Sequence, residues 1–229
     1  MKTSNILFIS FLIFLFGGII FLCVGSKYYE VINDPANFSR KEKKIATFSV
    51  VVAEPGAFFY LRNAKENKIV QSSKKGSVAN FPTYIVRNDT LFVSSRKPIK
   101  DLAENYSVAT DIFCVALKKI VAKENSNVNL MDFNADTLNI STIKSRLDLR
   151  FKNISCISLQ SKDSDIYLEG EKLEKLVVNL DKTKLNAPIK KRIENLSGSL
   201  KNTSDCTFYL SNKIILDVDK TSTYNFYNF

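Results

Sequence analysis

Along the second half of the chain, apolar and polar residues alternate in short runs that return in phase. Hydroxyl residues open similar runs at Ser126 (SNVNLMDF), Ser145 (SRLDLRF), Ser164 (SDIYLEG), Thr183 (TKLNAPI), Ser204 (SDCTFYL) and Ser222 (STYNFYNF), in steps of 19, 19, 19, 21 and 18 residues. A second apolar group keeps the same phase: Leu138/Ile140, Ile157/Leu159, Leu176/Val178, Leu196 and Ile214/Leu216. It is led by pairs three apart: Leu117/Ile120, Ile154/Ile157, Leu173/Leu176 and Ile193/Leu196. Two period-two strands per nineteen residues cannot bury a face within their own unit. Stacking the units solves this, because each coil lays its Leu and Ile side chains over those of the coil below. The rest of each coil then serves as the crossover that a parallel strand pair requires. Leu147, Leu149, Ile166 and Leu168 point inward in this reading, and Arg146, Asp148, Asp165 and Tyr167 outward.

The corners read SKDS (161–164), LDKT (180–183), KNTS (201–204) and VDKT (218–221). Asp, Asn, Ser and Thr side chains bond to nearby backbone at turns, which accounts for these polar positions without a ligand. The same turn chemistry accounts for the N-x-S/T matches. A calcium site at Asp217/Asp219 would need several converging oxygens and a glycine-rich loop, neither of which is visible in the sequence. The terminal STYNFYNF offers Tyr224, Phe226, Tyr227 and Phe229 as an aromatic lid over an open end.

Residues 46–97 also read as β. ATFSVVVAEPGAFFYLRN is two strands divided at Pro55-Gly56; KIVQSS follows, and TYIVRNDTLFVSS is a hairpin turning at Asn88-Asp89. Residues 111–125 are helical by propensity, but their β-branched content and phase favour strand, corner, strand. Residues 99–106 are locally helical.

Before all this, Ile6 to Val24 carry no charge over nineteen positions, enough for a helix to span a bilayer and longer than an ordinary signal-peptide core. The expected organisation is a signal anchor over residues 1–24, a basic linker over 25–45 and a β-solenoid over 46–229. The expected location is inner-membrane anchored with the domain in the periplasm or outside; secretion after cleavage is the alternative. Lys27 and the run Arg40, Lys41, Lys43, Lys44 follow the helix, and the positive-inside tendency alone would favour the opposite orientation. Those basic residues either rest against anionic headgroups or are a solvated linker.

The resulting fold class is all-β: a right-handed parallel β-solenoid with coils of about nineteen residues, behind an N-terminal transmembrane helix. The stretch IFCVALKKIVAKENSNVNLMDFNADTLNI (112–140) resembles the solenoid entry of the putative auto-transporter adhesin head family, the GIN domain. The likeness is carried by Leu117, Ile120, Ser126, Val128/Leu130 and Leu138/Ile140, and extends loosely over residues 46–229. Glu124-Asn125 stands where that family has glycine-bearing turns. The resemblance implies a bacterial envelope protein with a β-solenoid and no catalytic residues.

The net charge of +10 favours anionic neighbours, but its basic residues are scattered and no aromatic-rich groove marks a nucleic-acid binder. The absence of histidine removes histidine-based acid–base, nucleophilic and metal chemistry. Four cysteines (Cys23, Cys114, Cys156, Cys206) form no CxxC pair; a Cys156–Cys206 disulfide and free thiols both remain open. No catalytic residue, cofactor or metal ligand is therefore expected. The expected function is a membrane-anchored, non-enzymatic envelope protein with an adhesion-like binding domain. A carbohydrate-active or polysaccharide-binding β-helix, or a cytoplasm-facing regulatory anchor, are the alternatives. The expected partners are membrane lipid through the helix and an anionic envelope polymer or a protein. Lys190, Lys191 and Arg192, the densest basic cluster of the repeat, are the candidate contacts, with a solvated loop as the bland alternative.

Overall fold

The computed structural model describes residues 3–33, 37–75, 80–96, 108–209 and 211–227. The chain divides into two units, residues 1–39 with 74–76 and residues 40–73 with 77–229. The first carries helix α1, Thr3–Asn33. Its segment Ile9–Lys27 is long and apolar enough to cross a membrane, and none of it is buried. Phe14 is 82% and Phe21 78% exposed, and a membrane span and a signal sequence share this apolar character.

The second unit is a β-solenoid. Its regular part is three strands of seventeen residues each, β9 (Asn127–Ile143), β10 (Arg146–Lys162) and β11 (Asp165–Asp181). They pair in parallel, one coil apart: Leu147 lies beside Val128 and Ile166, Leu149 beside Leu130 and Leu168, Ile157 beside Leu138 and Leu176. All nine side chains are buried, so the repeat is a stack of inward ladders as the sequence spacing predicts. The alternation restarts twice in β10, at Lys152-Asn153 and Ser155-Cys156, leaving Ile154 alone pointing inward between them. Each restart turns the strand, which is how one strand runs from the first face of the solenoid onto the second. The pairs three apart in the sequence mark that bend. β12 (Lys184–Ala187), β14 (Asp205–Tyr209) and β16 (Thr223–Tyr227) continue the first face; β13 (Ile193–Lys201) and β15 (Ser211–Val218) continue the second.

The first half is β as expected, but its coils are not stacked in chain order. β2 (Val50–Ala53) lies parallel between β6 (Thr90–Val93) and β8 (Lys119–Ala122). β3 (Phe58–Asn63) lies parallel between β7 (Val108–Cys114) and β9. The chain therefore lays down an inner coil first. It then runs out through β4 (Lys68–Lys74), antiparallel to β7, and fills the outer coil with β6 and β7 before crossing to β8. Two turns read from the sequence make this path. Gly56 takes φ 73° between β2 and β3, and Asn88 and Asp89 take φ 46° and 61° between β5 (Tyr84–Arg87) and β6. Two successive left-handed residues make the turn whose twist matches a tight hairpin. Residues 111–125 form strand, corner, strand, and the helical expectation for 99–106 falls outside the described residues.

The expected linker carries regular structure at both ends. α1 continues past residue 24 to Asn33, and Phe38–Lys44 is strand β1, beside β4 at the edge of the first face. Strand formation by this charged run is a tertiary effect. An edge strand needs one neighbour only, and lysine-rich edges resist pairing with another sheet.

Candidate binding surface

Between the second face and the first, every regular coil makes the same corner. Left-handed backbone precedes a buried Ser or Thr: Asn125 (φ 56°), Lys144 (45°), Asp163 (49°) and Lys182 (50°) precede Ser126, Ser145, Ser164 and Thr183, and Asn202 (55°) and Thr203 (66°) together precede Ser204. Apart from Asn and Asp, such residues are uncommon there, so the stack holds lysine in a backbone that glycine adopts more easily. The hydroxyls explain why it holds. The Ser145 amide donates to Ser164 Oγ at 3.2 Å, that of Thr183 to Ser204 Oγ at 3.3 Å, and that of Ser204 to Ser222 Oγ at 3.1 Å. Just inside, Thr142 donates to Ser161 Oγ at 2.7 Å, and Ser161 and Thr183 share a hydrogen at 2.9 Å. The recurring hydroxyl of the sequence is thus a ladder that joins successive coils.

The corner is also a groove of about 610 Å³, with Lys144, Arg146, Asp163, Lys182, Lys184 and Asp205 along it. A shallow depression of about 210 Å³ shares Arg146 and Lys184 with it and reaches Tyr167 on the outer side of the first face. Cations elsewhere on that face are neutralised: Arg62 pairs with Asp111 at 2.9 Å, and Arg150 lies 3.4 Å from Asp148 and 3.6 Å from Glu169. Lys144 lies 3.4 Å from Glu124. Arg146, Lys182 and Lys184 have no ion-pair partner among the described residues, and all three are exposed. Ser126 Oγ, at one end of the groove, is buried without a hydrogen-bond partner among them. The outer side of the first face adds tyrosines at Tyr60, Tyr167, Tyr209 and Tyr227, the last two with ring centroids 6.0 Å apart. Cations without carboxylate partners, amide and hydroxyl groups, and partly exposed aromatic rings suit a hydroxyl-rich anionic chain.

Lys190, Lys191 and Arg192 lie elsewhere, on the exposed loop between β12 and β13 at the other end of the strand. Lys190 approaches Glu171 at 3.8 Å, while Lys191 and Arg192 have no ion-pair partner among the described residues. The basic run after the helix is mostly engaged. Arg40 lies 3.9 Å from Glu42, Lys44 bonds Glu66 at 2.9 Å, and Lys43 sits 5.8 Å from the Tyr84 ring centre. Lys41 has no such partner among the described residues. Lys68 joins Glu42 at 2.9 Å and Glu66 at 3.4 Å, so β1 and β4 share one network. The hydrogen bond from Lys44 is the largest cause holding the Glu66 carboxyl below its usual range.

Asp219 serves a turn. It accepts from the Asn202 amide at 2.6 Å and the Thr221 amide at 3.0 Å, and the former is the main reason its pKa is lowered. No cluster of three potential metal ligands occurs among the described residues. All four cysteines are free thiols. Burial pushes Cys114 and Cys206 up to about 12, which leaves them neutral and inert.

The groove cations were within reach of sequence reasoning. Lys-Ser-Arg (144–146) and Lys-Thr-Lys (182–184) sit at the same phase two coils apart. What the sequence hides is that Arg146, Lys182 and Lys184 have no ion-pair partner among the described residues, while Lys144, Arg62 and Arg150 do.

No protein-family model matches the sequence, and no curated protein does. Solved structures resemble this chain. One is described as a putative adhesin from Bacteroides fragilis: it is 13% identical, covers 83% of this chain and 97% of its own, and has a TM-score of 0.59. Two more are described as putative adhesins, from Parabacteroides distasonis (10% identical, 82% and 93% covered, TM-score 0.49) and Parabacteroides merdae (10%, 85% and 98%, 0.43). At such identities the first likeness supports the solenoid fold, and function must be argued from the surface.

Proposed function

We propose that this chain is a membrane-anchored, non-enzymatic envelope protein of the GIN-domain kind, whose solenoid binds an anionic, hydroxyl-rich polymer along the corner groove. The observation that carries this reading is the convergence of Arg146, Lys182 and Lys184, unpaired among the described residues, on one groove bordered by Tyr167. A repeat of coils about 4.8 Å apart offers a chain-like ligand equivalent contacts at successive layers, which a single pocket does not. Of the carboxylates lining the groove, Asp205 accepts from Thr223 at 2.9 Å, while Asp163 and Asp165 form no ion pair among the described residues, although Asp165 lies in register with Arg146 and Lys184. Helix α1 supplies the anchor in this reading, with the solenoid outside the inner membrane.

The test uses the full chain in detergent micelles, with polygalacturonate and neutral dextran as ligands. Polygalacturonate is expected to bind and dextran to bind weakly. Replacing Arg146, Lys182 and Lys184 together by Gln is expected to weaken polygalacturonate binding about tenfold or more, as loss of several ionic contacts requires. Replacing Lys190, Lys191 and Arg192 by Gln is expected to change it little. Equal binding by the wild type and the groove variant would overturn the assignment. A loss confined to the loop variant would move the site there. Protease accessibility in intact cells, opened outer envelopes and lysed cells tests the location; protection until the inner membrane breaks would reject it.

A further inference from the structure

The two ends of the solenoid are finished differently. At one end the first face closes on β1, a charged strand that shares the network Lys44–Glu66–Lys68–Glu42 with β4, and the second face closes on the four-residue β5, paired with β6 alone among the described residues. At the other end, β15 and β16 each have a strand on one side only among the described residues. Among the described residues no ion-pair network guards them. One layer in, Leu196, Leu200, Cys206 and Phe208 are fully covered. In the last layer, Ile214 is 43% and Tyr224 46% exposed, and Leu216, Val218 and Phe226 are only partly covered. Ile215, on the outer side, is 60% exposed. Among the described residues these are ladder positions without a next layer, beside an unpaired strand edge.

We propose that a second copy of this chain supplies that layer, tail to tail, about a two-fold axis through Ile215. Charge complementarity selects this occupant and this register. Antiparallel pairing of β15 with its copy, centred on Ile215, sets Lys213 opposite the partner's Asp217 and Asp217 opposite the partner's Lys213. It sets Ile215 against its own copy and Ile214 against the partner's Leu216, so inward residues meet inward residues and outward meet outward. A slip by one residue breaks both matches, because side chains alternate in facing. Pairing β16 in the same way about Asn225 brings no like charges together, since Thr223–Tyr227 carries none. A head-to-tail stack would instead place β16 against β1, which reads Phe-Ser-Arg-Lys-Glu-Lys-Lys, and β15 against β5, Tyr-Ile-Val-Arg, which offers Lys213 no carboxylate. An isologous contact closes after two copies and leaves the charged β1 strands at the remote ends.

The experiment is sedimentation velocity of the full chain in density-matched detergent over a concentration series, with variants at exposed positions that leave the core untouched. Lys213→Asp is expected to raise the dimer dissociation constant about tenfold or more by opposing two carboxylate pairs, and Asp217→Lys to do the same with cations. The double variant Lys213→Asp/Asp217→Lys is expected to restore the dimer. In a Cys23→Ser/Cys156→Ser background, Ile215→Cys is expected to form an intermolecular disulfide under mild oxidation, because directly opposed strand residues lie within bridging distance. Lys191→Cys is not expected to do so. A monomer at every concentration overturns the proposal. So does a dimer indifferent to both reversals, which would point to the helix, or one that the double variant fails to restore.

Discussion

Gly170 shows how much a single position decides. It lies in register with Phe151 of the neighbouring coil, and a Cβ there would meet that ring at 2.3 Å. The inward ladder at this point reads Phe133, Phe151, Gly170, so an aromatic ring fills the space the glycine leaves. Gly170→Ala is expected to destabilise the chain by about 1–3 kcal/mol through overpacking, as measured by thermal or urea unfolding. Adding Phe151→Leu is expected to recover part of that loss, whereas Leu149→Ala should add its own cost. A Gly170→Ala variant as stable as the wild type would contradict this packing. Gly198 is stricter still: at φ 137°, its missing Cβ would lie 1.7 Å from the Val178 carbonyl oxygen.

At the scale of elements, the corner decides how one coil meets the next. The Thr142–Ser161–Thr183 ladder is buried, and each hydroxyl depends on its neighbours in adjacent coils. Ser161→Ala is expected to cost about 1–3 kcal/mol, since it strands the Thr142 hydroxyl away from water. The triple variant Thr142→Val/Ser161→Ala/Thr183→Val should cost less than the sum of the three single changes, because no partner is left behind. Additive losses in unfolding experiments would mean that the three hydroxyls act independently. Strand β1 gives the complementary lesson. Its charged sequence has little strand character of its own, and its pairing with β4 is set by Lys68 reaching Glu42 and by a sheet edge that needs covering.

For the whole molecule, the stacking order matters more than any contact. β2 and β3, early in the chain, are held on both sides by strands that come later: β6 and β8, and β7 and β9. A chain ending at residue 105 keeps β2 and β3 but lacks β7, β8 and β9. It is expected to show little β circular dichroism and to be digested rapidly by protease. In refolding followed by pulsed hydrogen exchange, β2 and β3 amides should gain protection no earlier than those of β8 and β9, because distant pairings carry the larger loop-closure cost. Early protection of β2 alone would show that the first coil folds by itself.

The nineteen-residue phase, the inward ladders, the two turns of the first half and the apolar helix were all written in the sequence. Each is local: period-two alternation, left-handed turn residues and hydrophobic length act over a few neighbours, and their repetition specifies stacking. The intercalated first coil, the β1 edge and the unpaired cations at the corner were decided only by the tertiary structure. They depend on which strands lie beside each other across fifty or so residues of chain, and on which carboxylate a given lysine or arginine can reach. The same strand partners leave Lys182 and Lys184 unpaired and Lys68 shared by two glutamates, although nothing in the immediate sequence tells these lysines apart.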